Sequence, residues 1–199
     1  MNKSGLDKNS VILIYGDHGE GFDHNLFGHG DALYESSVKI PLIMSYPNAN
    51  KQERSSVLID NTDILPSILS LLEITYDKNT YDGISFLSSF KTSRKVDTFR
   101  KYVTMKSYVA SKRAITDGIY KYIDNANNTC PNRDNERELY NLQNDPSENN
   151  NWIKINLNEN NKLSSAFNIE KSVTTQTTTS SITCLEESSV LEKIKSLGY

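Results

Sequence analysis

A continuous apolar run, Val11-Ile12-Leu13-Ile14-Tyr15, stops abruptly at Gly16-Asp17-His18, and the turn-forming pair Asn9-Ser10 precedes it. A run this short and this rich in β-branched residues suits a strand covered on both faces, as in a parallel sheet, better than a helix. Open α/β sheets take their ligands beyond the carboxyl ends of their strands. Position alone therefore puts Asp17 and His18 at the edge of a site. Chemically capable side chains are concentrated just after this strand. All 3 histidines of the chain, His18, His24 and His29, fall between residues 18 and 29, in a segment laced with glycine.

The next elements continue the pattern. Residues 40–44 read as a second buried strand, with Pro41 at its start or on an edge because proline lacks a ladder donor. Residues 47–50 are a turn. Thr62 or Asp63 can cap a helix whose first turn holds Pro66, and Ile64, Leu65, Ile68, Leu69, Leu71 and Leu72 give it a wide apolar stripe. Strand, loop, strand and helix imply an α/β layer structure. Beyond about residue 76 the character changes. Asp82-Gly83 marks a turn, and short β-prone pieces at 102–104, 111–116, 118–123 and 139–142 imply a small antiparallel sheet, with 118–123 half-exposed. Residues 147–189 are rich in Asn, Ser and Thr and are expected to be partly disordered. Val190, Leu191, Ile194 and Leu197 share one face of a short closing helix that Gly198 can end. The expected division is an α/β part over 1–90, an antiparallel subdomain over 91–146, and a polar tail over 147–199.

Composition removes several functional classes. The 199 residues carry 22 basic and 25 acidic side chains, a net charge of -3, which is no electrostatic footprint for nucleic acid. The basic cluster over 91–106 reads as a solvated surface. Two cysteines, Cys130 and Cys184, define neither a disulfide framework nor a thiolate zinc site. No run approaches a membrane span, and residues 1–8 lack the apolar stretch of a signal peptide. As it stands the chain is expected to be cytoplasmic, with the location of any parent enzyme open.

The glycine-laced loop can support metal chemistry. A carboxylate beside an imidazole can hold a divalent cation, and Gly16 and Gly19 let the backbone aim Asp17 and His18 at one point. Glu20, Asp23, His24 and His29 are further candidates. Glu20 and Asp23 are more commonly solvated loop carboxylates, and His24 could equally pack the loop.

These residues carry a family resemblance. Asp17-His18-Gly19-Glu20, then Leu26-Phe27-Gly28-His29-Gly30, Leu33-Tyr34-Glu35 and Ile40-Pro41-Leu42-Ile43 resemble the sulfatase branch of the alkaline phosphatase superfamily. Thr62-Asp63-Ile64-Leu65-Pro66 is similar to the family helix after that strand, and Asp82-Gly83-Ile84-Ser85-Phe86 to its Asp-Gly turn. Arg113-Ala114-Ile115, Tyr120-Lys121-Tyr122, Glu138-Leu139-Tyr140-Asn141-Leu142 and Asn144-Asp145-Pro146 resemble its C-terminal sheet, and Ser196-Leu197-Gly198-Tyr199 a common family ending. The resemblance implies the C-terminal portion of an alkaline-phosphatase-like α/β sheet sandwich plus a small antiparallel α+β subdomain. It makes Asp17 and His18 ligands of a divalent metal, calcium first, with manganese or zinc open because His replaces the commoner Asn. It places His29 against the sulfate or leaving-group oxygen, as a catalytic and substrate-binding residue, and His24 near the substrate.

The same resemblance marks what is missing. Sulfatases use a formylglycine made from Cys or Ser in a Cys/Ser-x-Pro-x-Arg motif, and an early pair of aspartates as metal ligands; both belong upstream. Cys130-Pro131-Asn132-Arg133 is one residue short and comes after the metal loop instead of preceding it. The chain is therefore expected to be the C-terminal part of a sulfuric ester hydrolase, inactive without its N-terminal half, which could be a separate chain. The rival enzyme readings are a phosphodiesterase, phosphonate hydrolase or phosphoethanolamine transferase of the same superfamily. The rival outside catalysis is a remnant or binding module.

Overall fold

The computed structural model describes residues 9–24, 28–30, 32–47, 49, 54–87, 99–107, 112–125 and 137–174. The expected closing helix, Cys130-Pro131-Asn132-Arg133, Cys184, the Ser196–Tyr199 ending and residues 91–98 of the basic cluster lie outside the described residues. The chain divides into two compact units, Met1–Gly19 with Lys39–Arg100, and Glu20–Val38 with Lys101–Tyr199. The segment Glu20–Val38, which ends in the short helix α1 (Glu35–Val38), thus clusters with residues far beyond it in sequence.

In the first unit, β1 (Ile12–Tyr15) pairs with β2 (Leu42–Ser45), Ile14 opposite Ile43 and Tyr15 opposite Leu42. The pairing is antiparallel, which corrects the expected parallel, doubly covered strand. A short apolar run signals attraction to a core but carries no information on the direction of its neighbour. Here it forms a two-stranded ribbon with Ile14 59% and Ile43 60% exposed.

The expected helix is present as α2 (Ile64–Leu71), after a 3₁₀ turn over Asn61–Asp63. The 3₁₀ turn is capped by Asp60, whose carboxylate accepts the Thr62 N–H at 2.9 Å, and Asp63 closes the capping box while standing at the N-cap position of α2 without a side-chain bond to that helix. Asp63 is fully buried. Its carboxylate accepts the Asp60 N–H at 2.8 Å and the Ile84 N–H at 2.7 Å, and pairs with Arg100. The Ile84 bond fastens the 82–86 turn onto the helix start. The approach is so close that a Cβ at Gly83 would lie 1.9 Å from the Thr62 carbonyl oxygen, so only glycine fits.

The second unit holds the expected antiparallel sheet, in the order β3 (Val103–Lys106), β4 (Arg113–Thr116), β5 (Tyr120–Asp124) and β6 (Arg137–Asn141). A tight turn with Gly118 at φ +86 joins β4 to β5. Strand alternation sends Ile115, Tyr122 and Leu139 to one face and Ala114, Ile123 and Tyr140 to the other. On the first face they pack with Leu163 and Phe167 of α3 (Leu157–Thr174), and on the second with Leu33, Tyr34 and Val38. Both faces are covered, so β5 is buried where alternation predicted half exposure. Its alternating lysine, Lys121, is itself enclosed. The helix α3 stands where composition predicted a polar tail. Few apolar side chains suffice when two of them, Leu163 and Phe167, reach a waiting sheet. No described helix is long and apolar enough to cross a membrane.

Candidate active site

The end of β1 delivers the first pair of candidates. The His18 backbone N–H donates to Asp17 Oδ1 at 3.0 Å, and the Asn61 side chain donates to the Asp17 carbonyl at 3.1 Å, tying this corner to the helix entry. The Gly19 carbonyl lies 2.7 Å from His18 Nδ1. A carbonyl can only accept, so Nδ1 carries the proton and the lone pair of the neutral ring resides on Nε2. That nitrogen lies 3.8 Å from Asp17 Oδ1. A backbone carbonyl fixing one ring nitrogen so that the other can coordinate is a common arrangement around metal-binding histidines. Both side chains reach solvent. One carboxylate oxygen and one imidazole nitrogen, held on the same corner, fit a divalent ion as a partial ligand set.

In the second unit the glycines do a specific job. Gly21 and Gly28 exchange both backbone hydrogen bonds, each at 3.0 Å, closing the loop as an isolated antiparallel bridge. Gly28 has φ +112, and a Cβ at Gly21 would meet Ser37 Oγ at 2.9 Å. The residues flanking the bridge, Glu20 and His29, are thereby opposed, and His29 Nδ1 lies 3.2 Å from Glu20 Oε2. Glu20 is thus the partner that orients His29, a role its sequence context did not mark.

His24 occupies a different environment. Its ring stacks on Tyr34, with centroids 3.8 Å apart at an interplanar angle of 11°. Nε2 donates to the Glu148 carbonyl at 3.0 Å, and Nδ1 faces Asp23 Oδ1 at 3.2 Å. Both partners only accept, and at Nδ1 the contact with Asp23 is one of charge proximity and not a well-formed hydrogen bond. Burial works against a charged ring, but the Glu148 and Asp23 contacts outweigh it and hold the ring above the usual histidine range. Asp23 is held below the usual carboxylate range: burial opposes this, and the hydroxyl bond from Ser36 at 2.8 Å together with His24 overcomes it.

Residues 22–174 match the family described as "N-sulphoglucosamine sulphohydrolase, C-terminal". The chain belongs to this sulfatase family. The bovine (Bos taurus) N-acetylglucosamine-6-sulfatase is 33% identical over 85 residues, 43% of this chain and 15% of its own. An ulvan-active sulfatase of Formosa agariphila is 28% identical over 126 residues, 63% of this chain and 20% of its own. The fold is shared with solved sulfatase structures. A protein solved in complex with its substrate D-glucosamine-2-N,6-O-disulfate superposes with a TM-score of 0.66 at 23% identity, over 88% of this chain and 36% of its own. The chain therefore spans about a fifth or less of the length of these curated relatives. The sulfatase family match takes in His24, His29, Lys121 and Glu148, while Asp17, His18 and Glu20 lie just before it.

Proposed function

We propose that this chain is the C-terminal part of a sulfatase-type, metal-dependent sulfuric ester hydrolase. The observation that carries the proposal is the Asp17–His18 corner, where the Gly19 carbonyl fixes the His18 tautomer and leaves Nε2 and a carboxylate oxygen 3.8 Å apart. Asp17 and His18 would hold the ion. One oxygen and one nitrogen donor accommodate calcium, and also manganese or zinc. The bound ion would neutralise charge on the ester oxygens.

The chain's own residues supply the rest of its share. His29, oriented through Nδ1 by Glu20, would give a proton or hydrogen bond to the leaving-group oxygen from its other nitrogen. His24, held by its Nε2 bond to the Glu148 carbonyl, would shape the substrate side by fixing the loop. The nucleophile, a formylglycine, and the remaining ligands would come from an N-terminal part, in the same or a separate chain. The exposed ribbon residues Ile14 and Ile43 support that reading, because they are apolar surface of the kind such a part would cover.

The test joins or mixes this chain with an N-terminal sulfatase segment carrying Cys-x-Pro-x-Arg and monitors hydrolysis of an aryl sulfate beside the matching aryl phosphate. The expected result is sulfate ester cleavage, lost with Asp17→Ala. Equal activity with Asp17→Ala, or cleavage of the phosphate alone, would rule the proposal out.

A further inference from the structure

The most tightly connected polar group in the second unit lies away from His29. Lys121 of β5 is 0% exposed, and its Nζ donates to the Leu33 carbonyl at 3.0 Å and pairs with Glu35 at 2.7 Å and Glu148 at 2.9 Å. Glu148, also buried, accepts the Glu35 N–H on its second carboxylate oxygen. Its carbonyl oxygen takes the His24 Nε2–H. One residue therefore joins a central strand, the short helix α1 and the histidine loop. The backbone carries a second mark of the same link. Glu148 and His24 have φ +54 and φ +53, a region that side chains larger than glycine rarely adopt. These two residues are hydrogen-bonded to each other. Conformations of that kind persist where surrounding contacts over-determine them, and they cluster where geometry matters.

We infer that Glu148, anchored by Lys121, is a positioning residue for the loop that carries His29, acting through His24. The inference rests on His29 having the role given above, but its contacts can be tested without that role. The anchor sets His24, His24 and Asp23 set one end of the loop, and the Gly21–Gly28 bridge passes the constraint to the Glu20–His29 pair. A solvated turn carboxylate could not do this. Glu148 can because its charge is enclosed with that of Lys121, where a paired ion is strongly held and an unpaired one is not tolerated.

The experiment is amide hydrogen exchange on the full chain, free of added metal, comparing the Gly21 and Gly28 amides with that of Tyr122 in the same sample. Glu148→Gln keeps the shape and the backbone carbonyl but removes the charge. His24→Phe keeps the stack on Tyr34 but removes both nitrogens. Each should speed exchange at the two glycines about tenfold beyond any change at Tyr122, the scale of a lost charge-assisted hydrogen bond. The double variant should add little to either single one, because the two residues act in series. The inference is overturned if the glycines change only in step with Tyr122, which marks a structural role alone, or if the two effects add. A failure of the metal assignment would leave these exchange rates untouched, so the two can be told apart.

Discussion

Lys121 is fully buried and Ile43 is 60% exposed. The four-stranded sheet of the second unit encloses charge, while the two-stranded ribbon of the first leaves aliphatic side chains in solvent. The contrast separates two kinds of order. In the second unit, both sheet faces are covered, by α3 and by residues 33–38, and the buried Lys121 and Glu148 find their opposite charges within the unit. In the first unit, the polar work is done at Asp63, while Ile14 and Ile43 of the ribbon are more than half exposed. The Asp17–His18 corner belongs to this first unit.

The contrast can be broken most forcefully at the buried lysine. Lys121→Met leaves Glu35 and Glu148 facing each other without their shared cation. It should cost about 3–5 kcal/mol in urea unfolding, the range for removing one member of a buried ion pair. The matching change on the ribbon, Ile43→Ser, should stay within about 0.5 kcal/mol, as for other exposed sites. Similar losses at the two positions would erase the distinction between the units.

Between these extremes lies a pH effect. His24 is surrounded by Asp23, Glu148, Tyr34 and, more remotely, Asp145, and its folded-state pKa is raised above the ordinary value. A raised histidine contributes stability that is fully present below the unfolded-state pKa of about 6.5 and is lost as pH rises through the folded value. Unfolding curves across that window should show stability of the second unit declining as pH rises. His24→Phe should flatten the decline. A wild-type profile already flat there would mean that the imidazolium is not held.

Much of this organisation was legible in the sequence, for identifiable reasons. The helix over 64–71 and the sheet strands announce themselves by period, and the 82–86 turn by its Asp-Gly pair. The proposal for Asp17 and His18 starts from the same kind of pattern, two ligand-type residues among glycines after an apolar run. The direction of the ribbon pairing was not legible, since apolar content reports burial and not neighbour orientation. Nor was the burial of Lys121. A lysine alternating with Tyr120 and Tyr122 reads as a solvent face, and only the distant Glu35 and Glu148 reverse that reading. The part played by Asp60 was hidden because Asp63, the expected cap, completes a capping box with it and also holds Ile84 and Arg100. Glu20 was discounted as a solvated carboxylate because its partner is brought opposite by a two-glycine bridge that no local pattern reveals.

Everything proposed for catalysis depends on Asp17 and His18 forming part of a divalent metal site. The most direct measurement adds manganese in small steps to the full chain and tracks paramagnetic broadening of assigned signals, which registers weak and incomplete sites. Signals of Asp17, His18 and Gly19 should broaden first, excess calcium should reverse the effect, and Asp17→Ala should abolish it. Broadening that begins elsewhere, or that persists unchanged in Asp17→Ala, would mean that Asp17 and His18 do not hold the ion.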